Sequence, residues 1–198
     1  MRYRILSACL GLLCLTAPAW AVTPLEYTRA TLEQARAIVD SDRTHDAQLA
    51  ALSALMKTFL DTDAMGRAAL GPNWAKFTPA QQKEFLTLFR ELFQRTYVQK
   101  LLLFDKPAFG YVGEERLGDT VRVDTTIITP RDEFAVTYQL RPQGDHWLAT
   151  DIQIEDLSLI ANFRTQLARL LSKASVEEVL GRMRRKYGPG GARGEDAL

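Results

Sequence analysis

The hydrophobic residues of this chain recur with a helical period in its first half and with a strand period in much of its second half. The clearest helical stretch follows residue 78, where apolar residues lie three and four positions apart and charged residues fall mostly between them. Its apolar positions are Phe85, Leu88, Phe89, Leu92, Phe93 and Leu101. This spacing predicts one long amphipathic helix with a wide apolar face.

Capping sequences mark where three helices begin. Segments 23–26, 78–81 and 175–178 each place Thr or Ser three residues before Glu or Gln, and the first two carry proline directly after the threonine. Such residues satisfy the free N–H groups of a first helical turn. The first helix is predicted to end near Val39 and the last near Tyr187. Other helical stretches are predicted at 49–59, 61–70 and 158–172.

From Pro107 onward the chain changes to a period of two, as in half-buried strands, with apolar residues and a few threonines at every second position. They are Phe109, Tyr111, Val121, Val123, Thr125, Ile127, Phe134, Val136, Tyr138, Leu140, Leu148, Thr150, Ile152 and Ile154. Turn sequences at 117–119, 130–132 and 143–145 divide them into four runs joined by short connections, which predicts an antiparallel meander. The predicted fold class is therefore α+β, a single domain with helices packed on one face of a four-stranded sheet.

The start of the chain predicts export from the cytoplasm. Arg2 and Arg4 precede an apolar run from Ile5 to Leu15, and residues 19–21 read Ala-Trp-Ala, a cleavage site of a secretory signal peptide. The apolar run is too short to cross a bilayer as a helix, which takes about 20 residues. The predicted divisions are a signal peptide at 1–21, a folded domain at 22–188 and a disordered tail at 189–198.

Composition excludes several chemistries. Both cysteines, Cys9 and Cys14, lie in the predicted signal peptide, so the mature chain is expected to lack disulfides, thiolate catalysis and cysteine-bound metals. The two histidines, His45 and His146, lie in polar turns and form no metal cluster or catalytic triad. A formal net charge of +1 gives no basic surface for nucleic acid. We predict no cofactor and no metal.

Two separated segments carry a specific pattern of spaced residues. The pattern consists of Leu70, Gly71, Trp74, Thr78, Gln81, Phe85, Phe89 and Tyr97, followed by Trp147, Asp151, Glu155, Ser158, Asn162 and Arg164. With this pattern the chain, from Leu25 to Lys186, resembles the MlaC or toluene-tolerance family of periplasmic phospholipid-binding proteins. The resemblance implies a fold like that of nuclear transport factor, with a cone-shaped cavity between sheet and helices.

The resemblance also implies a function. It describes a soluble periplasmic lipid carrier, not an enzyme, that acts as an auxiliary component of an inner-membrane ABC transporter. Such a carrier exchanges phospholipid with that complex and with an outer-membrane lipoprotein complex, and so supports outer-membrane lipid asymmetry. We expect a monomer. One relative in the family is associated with hopanoids, so phospholipid and hopanoid both stand as candidate cargo.

A carrier must offer acyl chains an apolar lining, since each methylene removed from water gains ~0.8 kcal/mol. The candidate lining residues are Leu88, Leu92, Tyr97, Leu101, Val123, Thr125, Ile127, Val136, Tyr138, Ile152, Ile154 and Phe163. Periodicity alone would assign them to an ordinary core, and only the resemblance favours a cavity. The hydroxyl groups of Thr125 and Tyr138 fall on this apolar face, where each needs a partner, a water or a ligand.

Two further hypotheses remain open at this point. An enzyme acting on an apolar substrate would use Asp151 or Glu155 as general base and Tyr138 as hydrogen-bond donor. In the structural interpretation of the same cluster, Arg164 pairs with Glu155 or Asp151 and fixes the strand-to-helix junction. The other hypothesis is an interaction module with a closed core and no ligand.

Two local features complete the picture. Asp156 stands where members of the resembled family usually carry glycine, which predicts a left-handed backbone that aspartate tolerates better than most residues. Four of the five residues at 182–186 are basic, which complements the dipole at the end of the last helix. The same charges would attract an anionic membrane surface or an acidic partner.

Overall fold

The computed structural model describes residues 22–103 and 106–189. The predicted signal peptide at 1–21, with both cysteines, lies outside these ranges, as do residues 190–198 of the predicted tail. None of the helices in the described ranges combines the length and the apolar content needed to cross a membrane.

Most predicted helices form, and their starts agree with the capping sequences. The helices are α1 (Pro24–Val39), α2 (His45–Phe59), α3 (Thr62–Leu70), α4 (Pro79–Phe93), α5 (Gln99–Leu101), α6 (Leu159–Leu171) and α7 (Val176–Tyr187). Complete capping boxes join Thr23 to Glu26, Thr78 to Gln81 and Ser175 to Glu178, which confirms those three starts. A short 3₁₀ helix, Gly71–Lys76, separates α3 from α4.

The predicted long helix is not α-helical throughout. It changes to a π-helical segment at Gln94–Val98, where the N–H of Gln99 donates to the carbonyl of Gln94, five residues earlier. The wider turn alters the direction in which the later side chains point, so Leu101 lies on a different face from Leu88 and Leu92. Segments of this kind occur often at functional sites.

The sheet has five strands in sequence order, all antiparallel, with β1 and β5 as open edges. The strands are β1 (Ala108–Leu117), β2 (Thr120–Ile128), β3 (Glu133–Gln143), β4 (His146–Ile154) and β5 (Leu157–Ser158). The prediction of four strands was wrong because β5 has two residues, too few for an alternating pattern. The α+β meander itself is confirmed.

Strand pairing gives the sheet an apolar inner face and a polar outer face. Val123 lies opposite Tyr138, and Thr125 lies opposite Val136, with all four side chains on the inner face. On the outer face, residues such as Asp124 take part in polar contacts. These outer contacts are Arg122 Nε to Asp124 Oδ2 at 3.1 Å, Thr137 Oγ1 to Asp124 Oδ1 at 2.7 Å and Gln139 Nε2 to Thr120 Oγ1 at 2.6 Å.

Helices cover the inner face and join it in one main core. Helices α1, α2, α3 and α6 contact the sheet, and α4 and α7 pack behind them. The core includes large, fully buried side chains from both layers, among them Phe59, Phe89 and Trp147. A smaller cluster of Ala35, Leu52 and Val98 lies apart from it, between α1, α2 and the π-helical segment.

Candidate functional site

The inner face of the sheet is closed at one end and partly open at the other. Val121 of β2 and Leu140 of β3 pair across the closed end and are 3% and 0% exposed. At the other end Phe109, Ile127 and Phe134 lie opposite one another on three strands, and each is only partly buried. The apolar inner face therefore reaches solvent at the start of β1 and β3 and the end of β2.

The structure brings most of the predicted lining residues together. Buried members are Leu88, Leu92, Val123, Thr125, Val136, Tyr138 and Phe163, and partly buried members packed against the same core are Tyr97, Ile127, Ile152 and Ile154. Leu101 is the exception, because it packs against the smaller cluster of Ala35, Leu52 and Val98. Binding of lipid by these residues stays a prediction.

Aromatic rings form a continuous row along α4 and into the π-helical segment. Phe85, Phe89, Phe93 and Tyr97 follow one another at four-residue steps, with ring centroids 5.7, 6.4 and 4.9 Å apart. Phe163 of α6 contacts this row edge-on, with its centroid 5.3 Å from that of Phe89 and 6.1 Å from that of Tyr97. The row joins α4 and the π-helical segment to α6, one of the helices that contact the sheet.

Hydroxyl groups on the inner face differ in their partners. Thr125 Oγ1 donates to the carbonyl of Val136 at 2.8 Å, which answers the need predicted for that side chain. Tyr111 donates to Glu33 Oε1 at 2.9 Å, and the Arg29 guanidinium lies 4.3 Å from its ring centroid. Burial, and next the hydrogen bond to Glu33, raise the pKa of Tyr111 to about 12. Tyr138 makes no hydrogen bond to any residue in the described ranges.

Asp151 connects strand β4 to helix α6. Its Oδ1 accepts from the N–H groups of Ile152 at 2.8 Å and Ile160 at 3.2 Å, and its Oδ2 accepts from the Ser158 hydroxyl at 2.5 Å. Ser158 in turn caps α6 by accepting from the N–H of Ala161. The carboxylate is therefore occupied in holding the junction, which favours the structural interpretation of Asp151.

Arg164 does not pair with either predicted carboxylate, so that prediction was wrong. Its Nε donates to the carbonyl of Ala68 at 2.9 Å. A Cβ at Gly71, whose φ is +53°, would lie 3.4 Å from the same Nε. The Arg164 side chain therefore holds the C-terminal end of α3 against α6. The sequence concealed this partner because a backbone carbonyl leaves no mark in the pattern of side chains.

Loss of the Asp151 carboxylate is expected to destabilise the protein. Asp151→Ala removes three hydrogen bonds to a charged group and exposes a helix start, so the free energy of unfolding is expected to fall by about 2–3 kcal/mol. Asp151→Asn keeps one acceptor oxygen and is expected to lose less. Urea denaturation measures both changes. Unaltered stability in Asp151→Ala would contradict the structural role and return the carboxylate to the enzyme hypothesis.

The turn between β4 and β5 has the backbone predicted for it. Glu155 and Asp156 both have positive φ, +50° and +64°. Glu155 ties the turn to β3, since its N–H donates to the carbonyl of Ala135 at 3.0 Å and its Oε1 accepts from the N–H of Ala135 at 2.6 Å. The turn presents Leu157 to solvent, 73% exposed.

Glycine is expected to relieve the left-handed strain at position 156. Asp156→Gly should raise the free energy of unfolding by about 0.5–1 kcal/mol, because glycine adopts positive φ at little cost. Asp156→Ala is the matched control and should lower it by about 1 kcal/mol, because a Cβ disfavours this backbone. Thermal and urea denaturation compare the two. Equal effects of both substitutions would show that the backbone at 156 carries no strain.

A polar cleft that the sequence did not reveal lies where α2, α3, α4 and the β3–β4 turn meet. It is open to solvent and has a volume of about 630 Å³, and its lining residues are Lys57, Leu60, Asp61, Thr62, Asp63, Arg90, Arg141, Gln143, His146 and Leu148. Asp61 forms an ion pair with Arg141, and Asp63 Oδ1 accepts from Arg90 Nη2 at 3.0 Å. No local sequence motif predicts this cleft, because its lining residues come from four separate segments of the chain.

Charge pairing in this cleft stabilises the start of α3. Burial raises the pKa of Asp61, but the N–H of Ala64 and the guanidinium of Arg141 together lower the pKa by more than burial raises it. The net shift of the pKa is therefore downward. Asp61 therefore stays ionised, accepting from the N–H of Ala64 at 2.9 Å as the cap of α3. Within the described ranges no group of three or more His, Cys, Asp or Glu side chains is arranged to hold a metal ion.

The basic end of α7 is partly used in packing. Arg184 Nη2 lies 2.6 Å from Glu84 of α4, and Arg95 Nη1 donates to the carbonyl of Lys186 at 3.0 Å. These contacts fix α7 against α4 and the π-helical segment. Arg182 and Arg185 are exposed.

Comparison with known proteins places the chain in a family. A solved structure of the phospholipid-binding protein from Ralstonia solanacearum, in complex with a phospholipid, superimposes with a TM-score of 0.71 at 21% identity. The superposition covers 80% of this chain and 93% of that one, and shows a shared fold. By sequence, no curated protein matches the chain. The sequence model of the MlaC protein family matches residues 27–185. The chain therefore belongs to the MlaC family.

Proposed function

We propose that this protein is a periplasmic lipid carrier that holds a phospholipid by its acyl chains between the inner face of the sheet and the helices. The observation that carries this proposal is the apolar inner face, continuous across the strands and less buried toward Phe109, Ile127 and Phe134. Membership of the MlaC family supports it. So does the phospholipid bound in the similar protein from Ralstonia solanacearum.

The energetics of such a carrier suit reversible exchange. Each methylene in water costs ~0.8 kcal/mol, so a carried lipid is strongly protected from the aqueous phase. The donor is a membrane, where the same methylenes are already out of water. Transfer from bilayer to protein is therefore nearly balanced in free energy, and lipid can be taken up and released without a chemical step. The protein needs no catalytic residue for this task.

Acyl chains are expected to enter between the sheet and the helices where the inner face is least buried. The side chains of Val123, Val136 and Tyr138 pack tightly in the core, whereas Ile127 and Ile154 are partly exposed. Acyl chains are expected to enter at the Ile127 end and to separate the sheet from the helices as they advance. The π-helical segment at 94–98 flanks this layer through Tyr97, and is the part of the long helix with the least regular hydrogen bonding.

The carrier is proposed to shuttle between two membrane complexes. By resemblance to the family, these two complexes are an inner-membrane ABC transporter and an outer-membrane lipoprotein complex. Removal of the signal peptide at 1–21 would place the mature chain, as a monomer, in the space between the two membranes. Exchange through these complexes would support lipid asymmetry of the outer membrane.

Native mass spectrometry of the mature protein, purified from periplasm without detergent, tests this function. The proposal expects a mass excess that solvent extraction identifies as phospholipid. A hopanoid in the extract would keep the carrier and change its cargo. A ligand-free mass, together with no uptake after incubation with phospholipid vesicles, would contradict the proposal.

A further inference from the structure

Tyr138 carries a polar group into an apolar environment. It lies in the middle of β3, opposite Val123 of β2 and Ile152 of β4, and is 6% exposed. Its ring meets that of Phe59 edge-on, with centroids 5.4 Å apart. The ring is thus held from both sides in the plane of the sheet and from above by α2.

The hydroxyl of Tyr138 has no hydrogen-bond partner among the described residues. The neighbouring hydroxyls differ, because Thr125 donates to the carbonyl of Val136 at 2.8 Å and Tyr111 donates to Glu33 at 2.9 Å. A hydroxyl group that has no protein partner and lies on a largely buried apolar face can accept a water or a ligand group as its partner. Phenylalanine would place the same ring beside Phe59, so the hydroxyl is the one group that tyrosine adds at this position.

The surroundings define what this hydroxyl can bind. Burial raises the pKa of Tyr138 well above its usual range, so the group is a neutral donor at every physiological pH. The side chains of Val123, Ile152 and Phe59 offer it no charge and no acceptor, and the nearby Tyr111 hydroxyl already donates to Glu33. A matching ligand group is therefore an uncharged acceptor attached to a hydrophobic chain. In a glycerolipid the acyl ester carbonyls have this chemistry, whereas the phosphate is charged and remains near water.

We infer that the Tyr138 hydroxyl donates a hydrogen bond to an acyl ester carbonyl of the bound lipid, and that the site therefore prefers ester-linked over ether-linked lipids. This inference rests on the proposed lipid-carrier function. It assigns Tyr138 as a specificity-determining residue within a lining that is otherwise unselective. The apolar side chains would hold any long chain, and the hydroxyl would fix how far the chain enters.

Competition between two lipids tests the inference. Mature protein, stripped of lipid, is incubated with vesicles containing equal amounts of diacyl phosphatidylglycerol and its dialkyl ether counterpart of the same chain length. Native mass spectrometry then gives the ratio of the two bound forms, which differ in mass. Wild-type protein is expected to favour the ester by about 3- to 10-fold, the effect of one neutral hydrogen bond. Tyr138→Phe is expected to bring the ratio close to that of the vesicles.

Tyr111→Phe is the matched control. The Tyr111 hydroxyl already donates to Glu33, so its removal is expected to leave the preference for ester-linked lipid unchanged. Differences in how the two lipids pack in the vesicle affect wild type and variants alike, so the change in ratio isolates the hydroxyl. Stripped Tyr138→Phe should also melt at the same temperature as wild type or higher, because no hydrogen bond within the described protein is lost.

The outcomes separate this inference from the carrier function. Equal binding of both lipids by wild type, or an ester preference that persists in Tyr138→Phe, would overturn the inference and leave the carrier intact. Binding of neither lipid would overturn both.

Discussion

Ile127→Arg is expected to abolish lipid uptake while the protein stays folded. Ile127 lies on the inner face at the open end of the sheet, between Phe109 and Phe134, and is partly buried. At the edge of this surface an arginine head group reaches water, so the fold tolerates it. Acyl chains entering there would have to bury an unpaired charge, which costs several kcal/mol. Lipid retained after incubation with vesicles is expected to fall by more than about ten-fold.

The adjacent residue provides the matched control. Ile128 belongs to the same strand but points to the outer face, and it is 38% exposed. Ile128→Arg makes the same chemical change one position away, and should leave lipid uptake unaltered. Circular dichroism and denaturation curves establish that both variants fold. Equal loss of lipid in the two variants, or full uptake by Ile127→Arg, would contradict the assignment of the inner face.

Phe89→Ala is expected to cause the largest loss of stability. Phe89 is fully buried, lies between Phe85 and Phe93 in the aromatic row, and meets Phe163 of α6 edge-on. Truncation leaves a cavity among three helices that are fixed by their own contacts. The free energy of unfolding should therefore fall by about 3–5 kcal/mol, as measured by urea denaturation.

Close packing around Phe89 makes relaxation into that cavity difficult. Helix α3 approaches α4 at Gly66, where an added Cβ would lie 3.1 Å from Phe89 Cδ1 and 2.8 Å from Leu86 Cδ2. Phe134→Ala is the comparison, since Phe134 is only partly buried at the open end and should cost about 1–2 kcal/mol. A similar cost for both substitutions would show that the aromatic row is no better packed than the open end.

The features that the sequence predicted correctly are those that depend on neighbouring residues in the chain. The capping boxes at Thr23, Thr78 and Ser175 involve side chains three residues apart, and all three form. The alternation in β2 and β3 follows from the period of a strand with one buried face. The positive φ of Asp156 followed from the glycine usual there in the resembled family.

The features that the sequence missed depend on contacts between distant segments or on small energy differences. Arg164 bonds to the carbonyl of Ala68, and the ion pair of Asp61 with Arg141 joins residues far apart in the chain. The π-helical segment retains helical spacing of its apolar residues, so the periodicity resembles that of an α-helix. The assignment of Leu101 to the lining was therefore wrong, because Leu101 packs against the separate cluster of Ala35, Leu52 and Val98.

Photo-crosslinking with a phospholipid that carries a diazirine in one acyl chain tests the central claim most directly. The lipid is delivered from vesicles, irradiated after uptake, and the labelled residues are identified by peptide mass spectrometry. The carrier account predicts labelling of inner-face residues such as Ile127, Val136 and Ile154. Labelling confined to outer-face residues such as Thr126 and Thr137, or to the polar cleft beside Arg141, would contradict it.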